Sequence, residues 1–189
     1  MIDTLNLQHV NVKFFVDGEL SVDMERFIEV FHGWVAKQSF SELLIDVADY
    51  RHVPAGPGVV MVGHEADYAM DNRENRPGLL YNRKAALAGS NEDRFVDALK
   101  SAARVCLMLE QEFDGLQFCR QQLQFCINDR ALAPNNEETL QACQVELPQV
   151  ISQIAATDGF SIEYDSDPRR RFGGTIKFNE PIDLDALAG

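Results

Sequence analysis

Glu42–Lys84 reads ELLIDVADYRHVPAGPGVVMVGHEADYAMDNRENRPGLLYNRK, and its punctuation decides the architecture. Leu43–Val47 is a short apolar run broken only by Asp46, the pattern of a buried strand. Pro54, Gly56 and Pro57 then force a loop from Tyr50 to Gly58. Val59–Val62 is a second apolar strand leading into Gly63-His64-Glu65. Asp71–Pro77 is polar and turn-rich, the tip of a hairpin. Leu79–Lys84 returns from it as a further strand, with Leu79 and Tyr81 facing opposite to Leu80 and Asn82.

On the N-terminal side, Leu5–Val16 alternates. Val10, Val12, Phe14 and Val16 share one strand face, and His9, Asn11 and Lys13 share the other. Asp17–Leu20 turns the chain. Ser21 or Asp23 caps a helix with apolar residues at three- and four-residue spacing: Met24, Phe27, Ile28, Phe31, Trp34 and Val35. On the C-terminal side, Ser90 caps a long helix with Glu92 and Asp93 in its first turn. Phe95, Leu99, Ala102, Cys106, Leu109 and Phe113 form its stripe, a core or dimer face, and Gly115 stops it. Leu123, Phe125 and Ile127 alternate as a strand. Pro134 opens a helix that Pro148 should kink. Phe160–Tyr164 and Phe172–Phe178 close the chain as strands.

The order strand, helix, strand, loop, strand therefore occurs twice. Val12, Phe14 and Val16 match Leu123, Phe125 and Ile127. Leu43–Val47 likewise matches Phe160–Tyr164. The expected fold class is α+β: two βαββ-type units, an internal pseudo-repeat, with mostly antiparallel sheet and a long helix joining them. One domain (1–189) then comprises a first unit with an extra strand (1–88), a connecting helix (89–115), a second unit (116–180) and a tail (181–189). In this register His9, Asn11 and Lys13 correspond to Arg120, Gln122 and Gln124, and both polar faces look at a shared groove or at solvent; an antiparallel sheet commonly wets one face, which favours solvent.

At 189 residues, 46% hydrophobic and 25% charged, the chain can bury a sizeable core. A formal charge of −13 repels phosphate backbones and anionic lipid, so neither nucleic acid nor membrane is expected as partner. No run approaches the roughly 20 apolar residues of a membrane helix. Met1–Asn11 carries Asp3 and no apolar leader core. The four cysteines (Cys106, Cys119, Cys126, Cys143) lack C-x-x-C spacing and read as reduced structural thiols of a cytoplasmic protein.

Chemistry concentrates in the opening stretch. In an extended segment Glu65 and Asp67 share one face, with His64 and Tyr68 on the other. A histidine beside carboxylates is an acid–base pair or a partial metal-ligand set. Arg51 and His52 could join this end of the sheet from their loop. Tyr81 and Arg83 would add a phenol and a guanidinium from the neighbouring strand. Arg51, His52, His64, Glu65, Asp67, Tyr68, Tyr81 and Arg83 are thus the ligand-binding set, suited to a carboxylate or phosphate. No metal-binding, Walker-type or nucleophile-elbow motif occurs, so no cofactor is expected. Arg169-Arg170-Arg171 is read as pairing with Asp165, Asp167 and the acidic surface.

The run LLIDVADYRHVPAGPGVVMVGHEADY, with GLLYNRKAAL and DPRRRFG, resembles a family of conserved bacterial proteins without an assigned activity; the resemblance lends no residue roles. In topology only, paired β-α-β-β modules are similar to the vicinal-oxygen-chelate (glyoxalase-like) superfamily. That likeness would put metal ligands at His9 and Glu65, but Arg120 stands where another histidine is expected. The sequence thus points to a binding or interaction module, with an enzyme using His64 and Glu65 as the alternative. Its partners would be a small anion, another protein or a second copy of the chain.

Overall fold

A computed structural model describes residues 6–189. Met1–Leu5, which include part of the segment searched for a leader and the first residue of the expected first strand, lie outside the described residues.

Alternation in the first strand, β1 (Val10–Val16), sets the layers: Val10, Val12 and Phe14 are each 1% exposed or less. Burying such side chains is worth about 1.5–3 kcal/mol apiece. After β1 come α1 (Met24–Lys37), β2 (Leu44–Tyr50), β3 (Gly58–Gly63), β4 (Ala66–Asp71), β5 (Gly78–Arg83) and α2 (Asn91–Glu112). Then follow β6 (Phe118–Ile127), α3 (Glu137–Ala155), β7 (Phe160–Tyr164), β8 (Gly173–Phe178) and α4 (Leu184–Ala188). The strands form one eight-stranded sheet, ordered β2-β3-β4-β5-β1-β6-β8-β7, with antiparallel pairing throughout. β1 lies between β5 and β6 in the middle of the sheet, and on the β6 side Val12 stands opposite Phe125 and Phe14 opposite Leu123.

The helices take one face. Phe27 of α1 packs on Phe113, and Phe95 of α2 on Phe125 of β6. Asp23 caps α1 by accepting from the Glu25 amide, and Ser90 and Asp93 close a capping box on α2. The apolar stripe of α2 is buried inside this layer, so it is core and not a dimer face.

Several local expectations change. Residues 63–68 are not one extended segment: the chain reverses at His64-Glu65, and Ala66–Asp71 is a separate strand. β2 is an edge strand, not a buried one, and Ile45 is 53% exposed. α3 starts at Glu137, capped by Asn136, and runs through Pro148 as one helix.

The face opposite the helices is not an open wet surface. Asn11, Lys13 and Phe15 point to it yet are 4%, 5% and 6% exposed. Two turns fold over them. The β4–β5 turn leaves the sheet at the Asp71–Gly78 end, and the β7–β8 loop at the Tyr164–Gly173 end. They meet where Arg170 Nη2 donates to Glu74 Oε1 at 2.5 Å.

Candidate functional site

The residues singled out in the sequence separate into three places. Tyr50 pairs with Gly58 at one end of β3, and Leu44 with Gly63 at the other. Arg51 and His52 therefore sit a strand length, about 17 Å, from His64. Both are exposed, and Arg51 chelates its neighbour Asp49 with Nε and Nη2 at 3.0 and 2.9 Å. Those bonds hold the Asp49 carboxyl down to about 2.

At the other end, Glu42 organises the β3–β4 reversal. Its Oε2 accepts from the Glu65 and Ala66 amides at 2.8 and 3.1 Å, and its Oε1 accepts from Tyr68 Oη at 2.7 Å. A side chain at Gly63 would meet that carboxylate at 2.5 Å. Tyr68 and Tyr81 lie on the helix face, where burial pushes both phenols well above the ordinary tyrosine value; Glu42 adds to the shift at Tyr68 and Asp97 at Tyr81. Arg83 pairs with Glu65 at 3.0 Å and Asp97 at 3.5 Å. Asp67 faces the other side of the sheet and pairs with Lys84 at 2.7 Å. His64 is exposed. Glu65, Asp67, Tyr68, Tyr81 and Arg83 are thus brought near one another, but on two faces and already engaged. His9 precedes β1 in a left-handed conformation and lies 3.8 Å from Asp129, apart from Glu65. Among the described residues no group of three His, Cys, Asp or Glu side chains is placed to hold a metal ion.

A different site lies under the two folded turns. It is a cleft of about 580 Å³, and none of the residues predicted as ligand-binding lines it. Its size is that of a small-molecule pocket. Lys13 lies on its floor, crossing Gly78 to reach Asp71 Oδ2 at 2.5 Å. A Cβ at Gly78 would come within 3.0 Å of Lys13 Cε. Desolvation lowers the Lys13 pKa, opposed by the Asp71 carboxylate. Beside Lys13, Phe15 carries the Arg76 guanidinium 3.6 Å from its ring centroid.

Six arginines and Lys13 line this cleft against four carboxylates, leaving three positive charges in a chain whose formal charge is −13. Half of these arginines are engaged with acids. Arg73 lies 3.4 Å from Asp71, Arg169 binds Asp167 at 2.9 Å, and Arg170 binds Glu74 and Asp165. The reading of the Arg169–Arg171 run as ion-paired therefore holds for its first two members. Among the described residues Arg76, Arg130 and Arg171 make no ion pair with a carboxylate. Arg130 donates to the Arg169 carbonyl, and Arg171 contacts Cys126, whose thiol burial pushes up even so.

Sequence reasoning placed Asn11 and Lys13 on the polar face of β1 but favoured solvent for it. The available signal was their isolation in VNVKFFV, since an amide and an ammonium amid large apolar residues are costly to bury without a purpose. The six arginines sit in two polar turns and one loop far apart in sequence, and only the fold brings them together.

Fold and site define an α+β protein: one antiparallel sheet, helices on one face and a cationic cleft on the other. Among known proteins, no family model matches this chain and no curated sequence is significantly similar to it. No helix of the described residues is long and apolar enough to cross a membrane.

Proposed function

We propose that the protein binds a small organic anion, phosphorylated or polycarboxylate, in the cleft between the β4–β5 turn and the β7–β8 loop. The observation that carries this reading is the set of arginines without acid partners, Arg76, Arg130 and Arg171, gathered around Lys13 in an acidic chain. Guanidinium groups match phosphate and carboxylate in pairs of parallel hydrogen bonds. Unpaired cations so close to one another repel, and an anion removes that cost. The negative surface elsewhere restricts such a ligand to this one region. We also take the two halves of the chain as copies of one βαββ plan. The cleft then straddles their seam, with Lys13 from one copy and Gln124 from the other on its floor.

Titration calorimetry at low salt, with inorganic pyrophosphate and with citrate, tests the proposal. Saturable binding of at least one, weakened about tenfold or more by Arg171→Ala and by Arg76→Ala, is expected. Absence of saturable heat with both, or binding indifferent to both substitutions, overturns it.

A further inference from the structure

Among the described residues lining the cleft, Asn11, Asp71 and Tyr164 each keep a buried side-chain oxygen without a hydrogen bond. Asp71 is ion-paired with Lys13 and Arg73, and Tyr164 Oη can donate as well as accept, which leaves Asn11 Oδ1 as the pure acceptor with no partner. Asn11 is 4% exposed, it lines the cleft, and among the described residues its Oδ1 accepts no hydrogen bond. Asn11 lies opposite Asn82 on one side and Cys126 on the other. Asn82 is already engaged, accepting from Asn128 Nδ2 at 3.2 Å and donating to Asp67 at 3.5 Å. Cys126 is in contact with Arg171. A buried acceptor left unmade is costly, and native structures keep few of them. An anion held by Arg171 therefore rests beside an amide oxygen that needs a donor.

An inorganic anion or a fully deprotonated one without other substituents brings no such donor. An ammonium group would bring one, but the surrounding arginines repel it. A hydroxyl or a neutral N–H satisfies both neighbours at once. Resting on the anion reading above, we infer that the ligand is a hydroxylated (or N–H-bearing) organic phosphate or carboxylate, and that Asn11 Oδ1 accepts its hydrogen bond. Asn11 then sets selectivity and the arginines set affinity. A site built around a buried hydrogen bond discriminates strongly against an analogue lacking the donor, because the protein group is left bare.

The experiment uses two matched pairs on the intact chain: glycerol 3-phosphate against propyl phosphate, and malate against succinate. Within each pair the charged groups are retained and hydroxyls are added. The hydroxylated member of at least one pair should bind wild type about tenfold more tightly. Which pair shows the effect separates a phosphate ligand from a carboxylate one. Asn11→Leu should bring the preference to within about twofold by weakening only the hydroxylated member. Asn11→Ala, smaller and without a side-chain acceptor, serves if the leucine variant fails to fold, as judged by its thermal transition. Equal affinities within both pairs in wild type overturn this inference and leave the anion reading standing. So does a preference that survives in Asn11→Leu, or in the alanine variant where that is used. No binding of any of the four compounds overturns this inference; where pyrophosphate and citrate fail as well, or binding is indifferent to both Arg171→Ala and Arg76→Ala, the anion reading falls with it.

Discussion

Lys13 is the residue on which the cleft floor depends, and replacing it by methionine isolates its role. The Lys13 and Asp71 side chains are 6% and 1% exposed and pair with each other across Gly78. Methionine keeps the aliphatic reach and removes the charge. Asp71 is then left with only Arg73, at 3.4 Å and itself half-exposed. Stranding one member of a buried pair costs about 3–5 kcal/mol. That is a large part of the roughly 5–15 kcal/mol holding a domain together, and lowers Tm by about 6–20 °C at this chain length. Replacing both partners, Lys13→Met with Asp71→Leu, should recover most of the loss, because no uncompensated charge remains. Urea unfolding with an unchanged m-value is the assay. A single variant within about 1 kcal/mol of wild type, or a double variant as damaged as the single, refutes the argument.

The same pair has a pH signature. Burial lowers the Lys13 pKa below its ordinary 10.5, so the folded chain gives up that proton before the unfolded chain does. Between the two values the unfolded state binds more protons, and stability rises with pH across that window. Tyr68 and Tyr81 act oppositely, since their raised pKa values make stability fall as pH climbs above about 10. The difference between wild type and the double variant, followed from pH 7 to 10, isolates the lysine. A flat difference contradicts the assignment.

Tyr68→Phe removes a 2.7 Å hydrogen bond to Glu42 and should cost about 1–3 kcal/mol in urea unfolding. It should also lessen the alkaline loss of stability. Gly58→Ala forces a side chain onto a backbone with φ +66° and into the Met70 carbonyl oxygen, so a loss above about 2 kcal/mol is expected by thermal unfolding. Glu74→Gln breaks an exposed ion pair with Arg170 and should leave stability within about 1 kcal/mol. By removing one of the two carboxylates on Arg170, the other being Asp165, it should tighten pyrophosphate binding severalfold at low salt, an effect that titration calorimetry reads directly.

Elements set by local chemistry were readable in advance. Asp23 and Ser90 cap helices where the sequence places them, and the two-residue period of VNVKFFV gives β1 its faces. β4 was not readable as a strand of its own. The reversal at His64-Glu65 has no strong turn dipeptide and is held by Glu42, more than twenty residues earlier. Leu43–Val47 has the apolar run of a buried strand, yet its place at the sheet edge follows from the order of pairing, which no local pattern encodes. The cleft failed for a related reason. Arg73, Arg76 and Arg171 look like ordinary turn charges until the turns fold back over β1 and β6. The conspicuous histidine–carboxylate stretch drew attention because of its residue types, but most of those types are spent on fastening a hairpin.

The ion pair between Glu74 and Arg170 joins residues 96 apart, and β1 meets β6 across a comparable length of chain. Contacts of such high sequence separation form only after the intervening loop has been closed, and they slow folding accordingly. The cleft is therefore absent from any half-assembled chain. A ligand held there can bind only molecules whose two halves have docked, so it stabilises the finished protein by mass action without favouring any intermediate. In hydrogen exchange that selectivity has a distinct form: ligand should slow exchange in β1 and β6, which open only with the whole chain, and leave fraying of the outer strand β2 untouched.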